Sequence, residues 1–386
     1  MADKKGISLH GSSGVSDASE YSQRFHRQPN QPTIFLHVGM HKTASTYIQN
    51  RLRRNHDLLA TRGILYPPLR SDHLSLVRAV SDRQFGHWQQ WCDRAHQKGL
   101  NSLLISAEAL SVVLSKCMNE QAHGEWLASQ IKNLGWNLQI IAFIRDQPSY
   151  LNSRYTQLVK RLHTQSSFKR YVRHVASGGT ESECDMNKLF GWLLKPSSPA
   201  SIFIPFERSP SSSPGSIIAP CFSLSLQQLD PFDALISCLP LPSDIQFSII
   251  SASASNQQPG DTGVRLARRL GRYLKKNHPQ LFNQSSIRSA VREQVECLVK
   301  RHQWHEQPFN GLTPSLLKEI RQTYNQSNNA FASAAWGVNA WQEIFPSLEI
   351  QQKKSIMALS DLKSYTTKVL RSEPIKLAIG KPPLNQ

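Results

Sequence analysis

Apolar residues arrive along this chain in short blocks that alternate between two spacings. Ile34 to Val38 is a nearly continuous apolar block, the pattern of a buried strand, and Ser45 to Leu59 then places Ile48, Leu52 and Leu59 on one helical face. Gly63 to Pro68 predicts a short strand stopped by two prolines, and His73 to Lys98 a helix carrying Trp88 and Trp91. Ser102 to Ser106 repeats the buried-strand pattern, Glu120 to Leu134 the helical one. Leu138 to Ile144 is a third strand, followed by a helix with Leu151, Tyr155, Leu158 and Leu162 at helical spacing. A fourth strand is predicted at Ser201 to Pro205. This alternation predicts an α/β fold, a parallel β-sheet flanked by helices.

From Val264 the pattern turns helical and basic. Leu266, Leu270, Tyr273 and Leu274 form a stripe among six lysines and arginines, and further helices are predicted at Ser286 to Arg301 and Pro314 to Gln326. Residues 1–31 have no apolar periodicity and are expected to be a disordered tail. One domain is expected over 32–346, holding an irregular, insert-like region at 209–263 with a short helix within Ser223 to Leu239. Residues 347–386 show no clear pattern and are expected to be a loosely held tail.

Composition adds a partner class. The 386 residues carry a net charge of +18. A field of that sign concentrates anions, so a polyanionic ligand, an acidic substrate or nucleic acid is expected, and so is the plain alternative of a protein whose pI simply runs high. The six cysteines are scattered without a C-x-x-C pair, so neither a zinc site nor a disulfide framework is signalled. No signal peptide or membrane anchor is visible; a soluble, cytoplasmic protein is expected.

The candidate chemistry lies just past strand ends, where ligands sit in parallel sheets. After the first strand comes G-M-H-K-T-A-S-T, from Gly39 to Thr46: a turn, a lysine and a hydroxyl-rich helix start. Backbone N–H groups, helix dipole and lysine converge there as an anion cradle, a variant phosphate-binding loop. Glu108 follows the second long strand and Arg145 ends the third, with Ser153 eight residues on.

This set resembles the sulfotransferases that use 3′-phosphoadenosine 5′-phosphosulfate (PAPS), closest to their bacterial and carbohydrate-type branches, whose loop runs H-x-G-x-H-K-T-G-T-T. The resemblance spans about Thr33 to Trp341, with F-I-P-F-E-R and Tyr324 to Ala332 in support, and implies a P-loop-type sheet with a helical C-terminal part. It implies that Gly39, His41, Lys42, Thr43, Ala44, Ser45 and Thr46 hold the 5′-phosphosulfate and that Arg145 and Ser153 bind the 3′-phosphate. Lys42 would act on the departing phosphate and Glu108 as catalytic base toward an acceptor hydroxyl or amine, on a carbohydrate or similar metabolite or an acidic glycan. His41 would be a second donor or alternative base, and no metal is implied. Ala44 stands where the family has glycine, which alanine can replace only where no positive φ is needed. Two rivals stay open: a small-metabolite kinase using Glu108 or Asp146 for Mg²⁺, and a basic module for nucleic acid or polyanions.

Overall fold

The structure, a computed structural model, describes residues 31–178, 182–206, 230–242, 244–249, 258–346 and 358–380. Glu207 and Arg208 of the F-I-P-F-E-R segment, residues 209–229, residues 1–30 of the expected N-terminal tail and residues 347–357 and 381–386 of the expected C-terminal one lie outside the described residues.

The five-stranded sheet is built from β1 (Thr33–Gly39), β2 (Ile64–Leu65), β3 (Ser102–Ser106), β6 (Asn137–Arg145) and β7 (Ala200–Phe206), in the order β2-β3-β1-β6-β7. Every pairing in it is parallel. A separate two-stranded ribbon joins β4 (Cys117–Met118) to β5 (Gln121–Ala122). Because side chains alternate across a strand, Ile34, Leu36 and Val38 of β1 enter one core, with Ile140, Ala142 and Ile144 of β6. Phe35 enters the other, with Leu104, Ile141 and Phe143. Burial on both faces is why these strands read as continuous apolar runs.

Helices α1 (Ser45–Arg54) and α2 (His56–Thr61) cover the second face. The first face receives α3 (Arg70–Ser81), α4 (Gly86–Gln97), α5 (Leu110–Ser115), α6 (His123–Asn133) and α7 (Gln147–Lys160). Further on, α8 (Phe168–Ala176) and α9 (Met186–Phe190) precede β7. Helix α10 (Pro231–Ile236) returns to the second face, where Arg51, nearly buried, meets Asp230 at 3.0 Å and lies 4.0 Å from the Phe232 ring centroid.

The helical C-terminal part contains α11 (Gly260–Asn277), α12 (Pro279–Asn283), α13 (Ser285–Arg301), α14 (Pro314–Trp336), α15 (Trp341–Ile344), α16 (Leu359–Leu370) and α17 (Glu373–Gly380).

Several boundaries differ from expectation for local reasons. The helix predicted over Ser45 to Leu59 breaks at Asn55, whose side chain bonds Arg51 O and the backbone of Ser248. The one predicted over His73 to Lys98 is two helices, parted where Arg83 takes φ 51°. Within the region expected to be irregular, α11 already begins at Gly260. Its φ is 69°, and a β-carbon there would stand 1.9 Å from Trp304 O. Helix α14 runs ten residues beyond its predicted end at Gln326, to Trp336, because Phe331, Ala332 and Trp336 are core residues. Residues 359–380, expected within a loose tail, form two helices with Val369 and Ile375 buried. Tyr365 packs edge-on to Trp304, ring centroids 5.2 Å apart.

Candidate active site

The central strand β1 delivers its loop at the carboxyl edge of the sheet, flanked by the ends of β3 and β6. Gly39 ends β1, where a β-carbon would come within 3.1 Å of Thr43 Oγ1. Thr43 is fully buried and its hydroxyl donates to Met40 O at 2.7 Å, closing the loop on itself. Lys42 and Ala44 both have positive φ, 72° and 59°, bracketing Thr43. Such turns aim successive N–H groups into one concavity. Helix α1 opens on Ala44 without a side-chain cap. Its first N–H groups are therefore the orphan donors that favour an anion. Ser45 is buried and Thr46 exposed at that opening.

The positive φ at Ala44 is the condition under which alanine is a strained substitute for glycine. A left-handed conformation costs an L-residue roughly 1–2 kcal/mol, and glycine's extra chain entropy returns about 0.5–1 kcal/mol of that. Ala44→Gly is accordingly expected to stabilise the protein by ~0.5–1 kcal/mol, read as a higher denaturant midpoint at unchanged slope. A lower midpoint would show that the loop is not strained at Ala44.

Around the loop stand three ionisable partners. Glu108, two residues past β3, accepts a short hydrogen bond from Ser45 Oγ on one oxygen and meets His41 Nδ1 at 3.3 Å on the other. The opposite ring nitrogen of His41 lies 3.3 Å from Glu183, which also accepts the His41 backbone N–H at 2.8 Å. Burial works against charge on Glu108, but the hydrogen bond and charge of His41 outweigh it, aided by Ser45, and its pKa falls to about 2. Burial likewise opposes charge on His41, and there the bond to Glu108 and the charge of Glu183 prevail, raising the imidazole above its ordinary value. The site therefore sets His41 between two carboxylates that favour its protonated form. Beneath it His37, wholly buried, shares a 2.8 Å hydrogen bond with Ser106. Its pKa drops to about 4 through burial, with Glu108 opposing, so it stays neutral.

Glu183 was not legible as a site residue. It is 3% exposed and sits in a short 3₁₀ turn, Ser182–Cys184, remote from the loop in sequence. Its turn is fixed by long-range bonds. Gln147 Nε2 donates to Cys184 O at 3.0 Å, and Gln147 and Asn328 exchange reciprocal amide bonds of 2.7 and 2.9 Å. Asp185 caps α9 and accepts from Ser327. The Tyr324 to Ala332 stretch thus acts through packing, setting the turn that carries Glu183.

A buried carboxylate holding a histidine gives a signed prediction. The stability contributed by His41's charge is fully present below about pH 6.5, its ordinary value. It is lost as pH rises through the raised folded value. Glu183→Gln is expected to bring the His41 titration midpoint down toward the ordinary range, measured by NMR of the imidazole carbons. An unchanged midpoint would remove Glu183 as the cause.

The third strand end supplies cations. Arg145 is 8% exposed, donates from Nη1 to Lys42 O at 2.9 Å, and its guanidinium lies 5.6 Å from the Phe206 ring centroid. Burial lowers the Lys42 pKa, as do the charges of Arg145, Lys160 and Arg161, with Glu108 opposing. Ser153, 4% exposed on the second turn of α7, meets Gln258 Nε2 at 3.5 Å, the outer limit of a hydrogen bond. The structure thus joins Lys42 to Arg145, Ser45 to Glu108, and His41 to Glu108; Ser153 is tied to Gln258 instead. Asp146, the other carboxylate considered for Mg²⁺, is committed to packing. It is bound to Arg321 Nη2 at 2.8 Å and Trp341 Nε1 at 2.9 Å. Among the described residues no cluster of His, Cys, Asp and Glu suits a metal ion, and no helix is long and apolar enough to cross a membrane.

A cavity of about 910 Å³ opens at the opposite, amino edge of the sheet, beside Thr33, Asn137 and Ala200. None of the loop residues, Glu108, Arg145, Ser153 or Glu183 lines it, so its size does not bear on the loop. No known protein family, curated protein or solved structure matches the chain.

Proposed function

We propose that the chain is a sulfotransferase that uses PAPS to sulfate a hydroxyl or amine, with a carbohydrate or similar metabolite as acceptor. The observation that carries this reading is the loop between β1 and α1. Two left-handed residues, an uncapped helix start and a lysine crowded by Arg145 all favour one multiply charged anion at the same point. Lys42 and the N–H groups through Thr46 would hold a 5′-phosphosulfate, and the fork of Arg145 with the hydroxyl of Ser153 a 3′-phosphate. PAPS would supply the sulfuryl group.

The chain's own residues then have distinct tasks. Lys42 neutralises charge on the leaving side, the main demand of such a transfer. Glu108 is fully ionised near neutral pH, so it is open to an acceptor proton. With a pKa of about 2 it is a weak base while His41 and Ser45 bind it. An acceptor that displaces either partner would raise its basicity where the proton must go. His41, whose protonated form both carboxylates favour, serves the phosphate side as a donor.

One observation favours a second reading. The Ser45–Glu108 contact pairs a loop hydroxyl with a strand-end carboxylate, the couple that holds Mg²⁺ in P-loop nucleotide enzymes. Thermal unfolding separates the two: PAP, the product nucleotide, should raise the melting temperature without metal, and ATP should do so only with Mg²⁺ if the chain is a kinase. In the same assay Arg145→Lys is expected to weaken PAP by roughly 10–100-fold, since it keeps the charge but loses the fork. A shift with ATP·Mg²⁺ and none with PAP would overturn the sulfotransferase reading.

A further inference from the structure

Both groups that occupy the Glu108 carboxylate come from the phosphate-binding loop itself. Ser45 Oγ donates to Oε2, and His41 Nδ1 stands 3.3 Å from Oε1. These two partners are held very differently. Glu183 grips His41 at two points, accepting its backbone N–H at 2.8 Å and standing 3.3 Å from its Nε2, so the ring is fixed in place. Ser45 offers a single hydroxyl proton, which rotates about one bond and serves one acceptor at a time.

The backbone on either side of the Ser45–Glu108 contact is pinned. Ser111 donates to Glu108 O twice, from its N–H at 3.2 Å and from its hydroxyl at 2.8 Å. The neighbouring Ala107 N–H donates to His37 O at 3.0 Å. Gln49, one turn along α1 from Ser45, donates from Nε2 to Ser106 O at 3.2 Å. The carboxylate and the start of α1 therefore keep their places, and the hydroxyl is the part that can turn. Ser45 is the first residue of α1, at the uncapped helix start where an anion is favoured. Thr43 does not compete for that anion, because its buried hydroxyl is given to Met40 O.

We infer that Ser45 gates the base: an anion seated on the loop takes the Ser45 hydroxyl from Glu108, and Glu108 Oε2 then receives the proton of the acceptor. The inference rests on the sulfotransferase reading, in which that anion is the 5′-phosphosulfate of PAPS. The acceptor oxygen or nitrogen forms its bond to sulfur as the bond from sulfur to the bridging phosphate oxygen breaks. That electron pair leaves on PAP beside Lys42, and the acceptor proton passes to Oε2, since His41 still occupies Oε1. Burial raises the Glu108 pKa, and His41 and then Ser45 outweigh it. Loss of the Ser45 bond thus makes the carboxylate more basic once the nucleotide is in place. When PAP leaves, Ser45 returns and the proton is released to water. The nucleotide accordingly binds before the acceptor is deprotonated, and the empty chain keeps its base covered.

The test is a double-mutant cycle on PAP binding by the full chain, measured by calorimetric titration with a metal chelator present. The four proteins are wild type, Ser45→Ala, Glu108→Ala and the double variant. Glu108→Ala removes both a negative charge and the acceptor that competes for the hydroxyl, whereas in the Ser45→Ala background only the charge effect remains. It is expected to tighten PAP about 3–10-fold more with Ser45 present than without it. Ser45→Thr, which keeps the hydroxyl, should retain that difference. Infrared difference spectra on adding PAP should show a carboxylate band shift that is lost in Glu108→Gln and in Ser45→Ala. Equal tightening in both backgrounds, or a band shift unaltered in Ser45→Ala, would overturn the gate. If PAP does not bind, the same cycle is read with pyrophosphate. Coupling there would overturn the sulfotransferase reading and keep the gate for another loop-bound anion, whereas no binding or no coupling would overturn the gate as well.

Discussion

Lys42→Met is expected to lower PAPS-dependent transfer by roughly 10²–10³-fold, the usual effect of losing one donor aimed at developing charge. Methionine keeps most of the stem, so the loss reports the ammonium group. Product binding should suffer less than turnover, because the N–H groups of the loop and α1 remain. The ammonium is already disfavoured by burial and by Arg145, whereas Glu108 favours it. An added phosphate charge would relieve that cost, and most of all where negative charge builds on the bridging oxygen. The measurement is single-turnover transfer from labelled PAPS alongside the PAP melting shift. Full activity in Lys42→Met would remove the lysine from the chemistry. Equal loss of binding and turnover would make it a uniform binding residue.

The largest stability effect is expected away from the loop, at Arg321→Leu. Arg321 and Asp146 form an ion pair in which both side chains are largely buried, and Asp146 also accepts the Trp341 indole N–H. Removing one partner of a buried pair costs about 3–5 kcal/mol because the other charge is stranded. Here the stranded group can take a proton. Burial raises Asp146 to a pKa of about 6, even against Arg321, Trp341 and Arg145, which lower it. For a carboxyl raised in the folded state, the contribution to stability is most favourable below its ordinary value and is lost as pH rises through about 6. Without Arg321 the folded value climbs further. The cost of Arg321→Leu is therefore expected to be large at pH ~8 and smaller at pH ~5, where protonation neutralises the stranded carboxyl. Asp146→Asn in the same background should recover part of the loss at the higher pH. Denaturant unfolding at both pH values measures this, and an equal cost at both would discard the explanation.

These two residues also show what is local and what is not. Asp146 immediately follows Arg145, so a sequence reader sees a carboxylate at a strand end and considers a metal. Its partners, Arg321 and Trp341, lie in α14 and α15, and only their docking turns it into a structural anchor. The same holds for the two carboxylates beside His41. Glu108 was visible because it directly follows a buried strand. Glu183 was not, because its turn is irregular and its position depends on Gln147, Asn328 and Ser327 meeting across the chain.

By itself the sequence determined the alternation of strands and helices, and thereby the parallel sheet. It did so because burial on both faces forces continuous apolar runs, and flanking helices force a helical period. It also determined that Lys42, Glu108 and Arg145 would gather at one edge, since all parallel strands end on the same side. The tertiary structure decided the rest. It set the order β2-β3-β1-β6-β7, the left-handed turn at Ala44, the imidazole of His41 held between Glu108 and Glu183, and the burial of Val369 and Ile375 in helices the pattern did not reveal. Each of these rests on contacts between residues far apart in the chain, whose energies no local spacing encodes.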